Sequence, residues 1–251
     1  MSDTKYVNYN STANDLETGI DNNILLNPFS NSIIRRGFIK KVYSLLTLQL
    51  LFTTAMSALF IFNDTLNSFS KSEPGQALLW ISIVGMLGCI IGPMCCCQNA
   101  YRKYPGNYLL LSVFTLCTSY MVAVTTTIYD QHAVLYAFIT TVVVTITLTI
   151  YAMQTKYDFT TWGGGLLSCL MCLIVLGIIN IFVQNQFLQT LIAAGGALIF
   201  SMYIIYDTQM IVGGNHKYQF DVDDYVFATI TLYLDIINLF LYLLELFDRR
   251  N

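Results

Sequence analysis

Hydrophobic and polar positions in this chain segregate into long apolar runs joined by short polar stretches. A helix that crosses a bilayer needs about 20 mostly apolar residues. Seven runs reach that length, at residues 42–62, 76–96, 108–129, 132–153, 163–183, 187–212 and 224–247. Turn residues separate them, among them the polar stretch NDTLNSFSKSEPG after the first run, which we expect to be a loop, and Gly213–Gly214 after the sixth. The pattern predicts an all-α integral membrane protein with seven transmembrane helices.

The N-terminal segment differs from the rest of the chain. Residues 1–34 are rich in Asn, Ser, Thr and Asp and lack the apolar core of a signal peptide. They therefore predict a disordered polar tail, with the first apolar run acting as the signal anchor. Residues 35–251 are then one transmembrane domain.

Positively charged residues predict the orientation, because short cytosolic loops carry an excess of Lys and Arg. The side of the N-terminus has Arg35, Arg36, Lys40, Lys41, Arg102, Lys103, Lys156 and Lys217, whereas the loops of the other side have Lys71. We therefore expect a cytosolic N-terminus. Seven crossings place Arg249 and Arg250 on the far side. Either the tail tolerates this position, or the last run is a re-entrant segment.

Composition narrows the class of protein. The chain is 55% hydrophobic and 11% charged, whereas soluble domains have about 25% charged residues. A soluble fold could not cover its surface with so few charges, so the bilayer is the expected environment. No basic surface for nucleic acid is apparent, so we expect no nucleic-acid partner.

The chain has seven cysteines, and their spacing indicates neither a disulfide framework nor a zinc site. Three of them, Cys95, Cys96 and Cys97, are adjacent at the predicted edge of the membrane. They are candidates for reversible palmitoylation.

Asp235 lies in the middle of the seventh apolar run. A carboxylate at the centre of a bilayer costs roughly 2.5–3.5 kcal/mol on insertion scales, and such residues usually face a protein interior or a water path. At helical spacing from Asp235, one face carries Thr231, Asn238, Tyr242 and Glu245. This polar stripe must turn away from lipid. The last helix is therefore predicted to be central in the bundle.

A second acid, Asp207, lies near the end of the sixth run. The sixth and seventh helices are predicted antiparallel neighbours, so the two acids can reach one level. Two carboxylates that meet in a medium of low dielectric constant share a proton, which would make them a pH sensor, a cation site or both. Each acid could instead satisfy a helix end or a Tyr hydroxyl separately.

The C-terminal segment resembles a known signature. The elements IIYDTQMIVGGNHKY, the acidic run before YVFA, and LYLDIINLFLYLL are similar to the Bax inhibitor-1 (transmembrane Bax inhibitor motif) family, in particular its lifeguard branch. RKYPGN before the third run and the polar N-terminal tail agree with that branch. The resemblance covers about residues 35–247.

The resemblance implies a seven-helix fold whose last helix is wrapped by two three-helix layers. It implies a pH-sensitive calcium leak channel that lowers stored calcium and opposes apoptosis, with Asp207 and Asp235 as its di-aspartyl pH sensor and transient calcium ligands. In the bacterial branch an arginine locks the closed state against the acid of the sixth helix. Arg102 is the nearest match here, although it follows the three cysteines.

Other classes of protein fit the residues less well. The sequence lacks the Gly-x-Gly-Asp element of aspartyl intramembrane proteases at both acids, so no enzyme is expected. Seven-helix receptor motifs are also absent from it. A proton-coupled ion transporter would use the same two acids, and a membrane scaffold would regulate cell death through protein partners. These two alternatives stay open.

The remaining expectations concern cofactors, partners and location in the cell. We expect no cofactor, with calcium as the permeant ion, and the lipid bilayer and cell-death membrane proteins as partners. The C-terminal FDRRN carries no retention signal. The endoplasmic reticulum, the Golgi or another endomembrane is favoured over the plasma membrane.

Overall fold

The computed structural model describes residues 28–95, 101–214 and 216–248. Within these ranges the chain is helical and has no β-strand. The helices are α1 (Pro28–Phe62), α2 (Asp64–Lys71), α3 (Glu73–Cys95), α4 (Gly106–Thr126), α5 (Gln131–Gln154), α6 (Gly163–Val183), α7 (Gln186–Val212) and α8 (Tyr225–Phe247). Short 3₁₀ turns, Phe159–Trp162 and Val222–Asp224, precede α6 and α8. All but α2 contain a span long and apolar enough to cross a membrane, seven in total, which confirms the predicted fold class.

Local sequence signals set several helix ends. The side chain of Asn63 accepts hydrogen bonds from the amides of Thr65 and Leu66, and thereby starts α2. Asn185 caps α7 in the same way. Because α7 ends at Gly213 with φ of 62°, the chain leaves the helix through a conformation that suits glycine.

The helices form two layers around α8. One layer contains α1, α3 and α4, and the other contains α5, α6 and α7. α8 lies between them and packs against α7, α5, α1 and α4, so the last helix is central as predicted. Its residues Ile230, Leu232, Tyr233, Leu239 and Leu244 are at most 2% exposed and form much of the core. On the outside, large apolar residues of every layer are exposed, as expected for a surface in contact with lipid.

The interhelical linkers meet at two ends of the bundle. One end, called the basic end here, carries the start of α1, the chain between α3 and α4, the linker 155–162 and the loop 213–224. Its basic residues include Arg35, Arg102, Lys156 and Lys217. The opposite end carries α2 and the C-terminus of α8.

Two boundaries differ from the sequence prediction. α1 begins at Pro28, so residues 28–34 extend the first helix, whereas residues 1–27 of the predicted tail lie outside the described residues. The stretch after the first run was predicted to be a loop, but it forms α2 because Asn63 and Asp64 supply the cap and the acidic first turn that start a helix.

Candidate functional site

Asp207 of α7 and Asp235 of α8 meet inside the bundle. Each residue is only 6% exposed. The two carboxyl groups are close enough to interact with one another, and Thr231, whose hydroxyl donates to the Ala228 carbonyl at 3.2 Å, lies beside Asp207. Asp207 lies about five residues before the end of α7, or roughly 8 Å from the basic end along the helix axis. Sequence spacing had left their pairing open, and the structure brings the two acids together.

The surroundings of this pair leave one oxygen unsatisfied. The Oδ2 atom of Asp235 is buried and receives no hydrogen bond from a donor in the described residues. A buried carboxylate oxygen without a donor is costly. A proton shared with Asp207, or a cation, would satisfy it. The pair is therefore suited chemically to hold one positive charge at a time.

The two carboxyl groups supply few ligands for a cation. Calcium takes six to eight oxygen ligands at about 2.3–2.6 Å. In the described ranges no group of three or more His, Cys, Asp or Glu side chains could hold a metal ion. Two carboxylates with the nearby Thr231 hydroxyl supply fewer oxygen ligands than a calcium ion takes, so transient calcium binding at this pair stays a prediction.

The predicted polar stripe of α8 contacts α7 at three positions. Thr231 and Asp235 contact Asp207. Tyr242 stacks on Phe200 with ring centroids 5.8 Å apart. The Asn238 amide instead donates to the Leu234 carbonyl of its own helix at 2.8 Å. Glu245 is partly exposed near the Tyr242 phenol.

Tyr203 is a site residue that the sequence reasoning missed. Its phenol lies close enough to interact electrostatically with both Asp207 and Asp235. Tyr203 precedes Asp207 by one helical turn, so the two side chains share a face of α7. This spacing was available in the sequence as a signal.

Arg102 does not lie where the resemblance placed it. Its Nε donates to Asp224 Oδ1 at 2.6 Å, and its Nη2 lies 3.1 Å from Asp221 Oδ2. These hydrogen bonds and charges, chiefly from Asp224, raise the pKa of Arg102 above its usual range. The partners of Arg102 among the described residues are therefore at the start of α8, on the surface, rather than Asp207 inside the bundle. The reason is that Arg102 follows α3 in a surface linker instead of ending the helix.

Arg35 binds the end of the helix that carries Asp207. Its guanidinium donates to the carbonyls of Met210 at 2.6 Å, Val212 at 3.1 Å and Phe220 at 2.6 Å. Carbonyls in the last turn of a helix have no intrahelical partner, and a cation there also complements the helix dipole. Arg35 thus fixes the C-terminal end of α7 to α1.

Gln209 ties the same end of α7 to the linker 155–162. This residue is completely buried. Its amide accepts from the backbone N–H of Phe159 at 2.7 Å and donates to the carbonyl of Tyr157 at 2.9 Å. Both the carbonyl oxygen and the NH2 group of the side-chain amide therefore hold the linker.

Asp158 continues this connection to the loop 213–224. It accepts from the Thr160 hydroxyl at 2.6 Å and from the Lys217 amide at 2.9 Å, and its Oδ1 lies 3.3 Å from His216 Nδ1. The hydrogen bond from Thr160, with those from the backbone and the neighbouring His216, lowers the pKa of Asp158 to about 2.

The three adjacent cysteines cannot be placed fully. Cys95 ends α3, and Cys96 and Cys97 lie outside the described residues. The palmitoylation hypothesis for Cys95, Cys96 and Cys97 therefore stays a prediction.

Known proteins similar to this chain identify its family. Residues 35–251 match the model of the family described as inhibitor of apoptosis-promoting Bax1. The chain is 42% identical over 219 residues to the Golgi anti-apoptotic protein of Vaccinia virus (strain Lister), covering 87% of each chain. It is 40% identical over 219 residues to protein lifeguard 4 of Mus musculus, again covering 87% of each. It is 35% identical over 224 residues to protein lifeguard 3 of Homo sapiens, covering 87% of this chain and 70% of the relative. This seven-helix chain therefore belongs to the Bax inhibitor-1 family.

Proposed function

We propose that this protein is a pH-sensitive calcium leak channel that lowers stored calcium and thereby opposes apoptosis. The buried pair of Asp207 and Asp235 carries the proposal. Paired acids inside a membrane protein are costly and usually mark an ion or proton path.

The proposed gate depends on the charge of the pair. With one shared proton, a hydrogen bond between the carboxyl groups holds α7 against α8 and closes the path. When both groups ionise, their repulsion loosens this contact and leaves two carboxylates, which attract Ca²⁺. The leak therefore increases as pH rises through the range in which the shared proton is lost.

The location and orientation belong to the same proposal. A relative of this chain is named a Golgi anti-apoptotic protein, which supports the Golgi or another endomembrane and an anti-apoptotic role. Arg35, Arg102, Lys156 and Lys217 lie at the end of the bundle that carries the start of α1. An excess of basic residues favours the cytosolic side, so we place the N-terminus in the cytosol.

Calcium flux into dye-loaded proteoliposomes between about pH 5 and 8 tests this function. The wild type is compared with Asp207→Asn, Asp235→Asn and, as a matched control, Asp64→Asn, which changes an exposed acid at the opposite end. Wild type and Asp64→Asn should leak more calcium at higher pH. Both site variants should leak little, with no dependence on pH, because one carboxylate beside a neutral amide cannot create the repulsion that opens the path.

Two outcomes would contradict the channel. Uptake that requires a pH gradient, with no downhill leak, would identify a proton-coupled transporter. An absence of flux in the wild type, together with protection of cells by Asp235→Asn, would identify a scaffold in which the two acids are structural.

A further inference from the structure

A lateral gap in the bundle separates α1 from α5. Over the described ranges these two helices do not pack closely against each other, although both pack against α8. The gap holds a cavity of about 420 Å³. Sites for small molecules commonly have volumes of about 300–1,000 Å³. The central helix is thus reached from the side of the bundle through this cavity.

The surface of the cavity is almost entirely carbon. Among its lining residues, Thr54 and Thr141 donate their hydroxyls to carbonyls of their own helices. Ser57 and Thr145 also line it, and their buried hydroxyl oxygens have no hydrogen-bond partner among the described residues. Ordered water needs two to four polar partners, and the few hydroxyls of this lining lie scattered in a surface that is otherwise carbon. An apolar occupant is therefore favoured over water.

The cavity opens toward the bilayer. On the α5 side, Leu135, Phe138, Val142 and Ile146 line it, and each is at least 40% exposed. They lie in a membrane-spanning helix, so the surroundings of this opening are lipid hydrocarbon. The floor consists of residues that are nearly inaccessible, including Val122, Ile236 and Ile237.

We propose that one acyl chain of a bilayer phospholipid occupies this gap and contacts Ile236 and Ile237 of α8. One turn of a helix, about 10 Å across and 5.4 Å long, would alone fill the volume, so a helix of a second protein does not fit between α1 and α5. An extended hydrocarbon chain is narrower than a helix, and the lipid around the opening consists of such chains. The acyl chain would contact Ile236 and Ile237, which directly follow Asp235. The proposal does not depend on whether the protein conducts ions.

Photolabelling of the full chain in liposomes tests the proposal. The probe is a phosphatidylcholine with a diazirine halfway along one acyl chain, and fragment mass spectrometry locates the adducts. Wild type should carry label at Ile236 and Ile237, although each is only 5% exposed. Ala58→Phe fills the cavity from the α1 side and should reduce this label severalfold.

The control variants distinguish labelling inside the gap from labelling of the outer, lipid-facing surface. Leu59→Phe places the same side chain on the neighbouring, lipid-facing position and should leave the label on α8 unchanged. Val142→Phe, on the other wall, should act like Ala58→Phe. Label at the exposed Trp80 and Ile81 should be equal in all proteins, which also checks folding.

Three results would overturn the proposal. The first is wild-type protein without label on Ile236 and Ile237. The second is equal labelling of these residues in Ala58→Phe and Leu59→Phe. The third is crosslinking through α1 and α5 to a second copy in place of lipid adducts.

Discussion

The ring of Tyr242 on α8 covers Gly196 on α7 so closely that a Cβ atom at position 196 would lie 2.7 Å from three ring carbons. The same ring stacks on Phe200 with an interplanar angle of 24°. The contact lies beyond the acid pair as seen from the basic end. It sets how closely the two helices that carry Asp207 and Asp235 can approach.

Replacement of Gly196 by Ala should therefore destabilise the protein. The added methyl group forces the Tyr242 ring away from α7, and overpacking of this kind costs about 1–3 kcal/mol. Thermal unfolding of the detergent-solubilised protein measures the loss. Gly195→Ala is the matched control, because its Cβ would lie 3.7 Å from Leu173. This control should be neutral or slightly stabilising, since Ala favours helix over Gly by up to about 1 kcal/mol. Equal effects at both positions would show that the ring does not limit the approach.

Replacement of Gln209 by Leu should release the linker 155–162 from α7. The amide of Phe159 and the carbonyl of Tyr157 lose their partner, and a buried unsatisfied group costs about 1–3 kcal/mol. Hydrogen exchange of the Phe159 amide should accelerate. Gln189→Leu, at an exposed position of the same helix, should leave that amide protected. Unchanged exchange in Gln209→Leu would mean that another contact holds the linker.

The ion pair of Arg102 and Asp224 should hold the start of α8 without acting as the pH sensor. Arg102→Gln and Asp224→Asn should each increase hydrogen exchange at residues 221–225. The double variant should add little to Arg102→Gln alone, because Arg102→Gln already removes the contact with Asp224. The pH dependence of calcium flux should survive. Lys103→Gln, at an exposed neighbouring position, serves as the control. Loss of the pH dependence in Arg102→Gln would instead support a lock that acts on Asp207.

Acid should detach the loop 213–224 from the linker 155–162. Hydrogen bonds hold the pKa of Asp158 at about 2, below the roughly 3.9 of a free aspartate. A lowered pKa in the folded state stabilises the contact above about pH 4. This stabilisation is lost as pH falls through about 2, where Asp158 itself becomes protonated.

The Lys217 amide reports this contact, because it donates to Asp158. Its protection should fall at acidic pH in the wild type. In Asp158→Asn the protection should already be low at neutral pH and change little with acid. Asp64→Asn should behave like the wild type. A Lys217 amide equally protected at every pH would contradict the assignment.

Periodicity was sufficient to predict the spans and the inward face of α8. The stripe through Thr231, Asp235 and Tyr242 follows helical spacing. In a lipid bilayer such a polar stripe must face the interior of the bundle. That α7 and α8 are neighbours followed from the short loop between them, whereas the pairing of Asp207 with Asp235 stayed open in the sequence. These inferences needed only local sequence and the bilayer.

The long-range contacts could not be inferred in this way. Arg35 of α1 reaches carbonyls at the end of α7 and in the loop that follows it, contacts that no pattern within α1 indicates. Arg102 binds Asp224 across the surface, and the linker that carries Arg102 has no periodic signal that fixes its direction. The gap between α1 and α5 was equally hidden, because an apolar residue reads the same in the sequence whether it faces lipid, a neighbouring helix or a cavity.

The clamp formed by Arg35 has a consequence for biosynthesis. Its three carbonyl partners lie 175 to 185 residues further along the chain. At about 5–20 residues per second, a ribosome needs roughly 10 seconds or more to supply them. During that interval Arg35 of α1 lacks these partners, which arrive only with the end of α7 and the loop 213–224. The contact between α1 and the end of α7 can therefore form only in the last part of translation, after more than 200 of the 251 residues have been made.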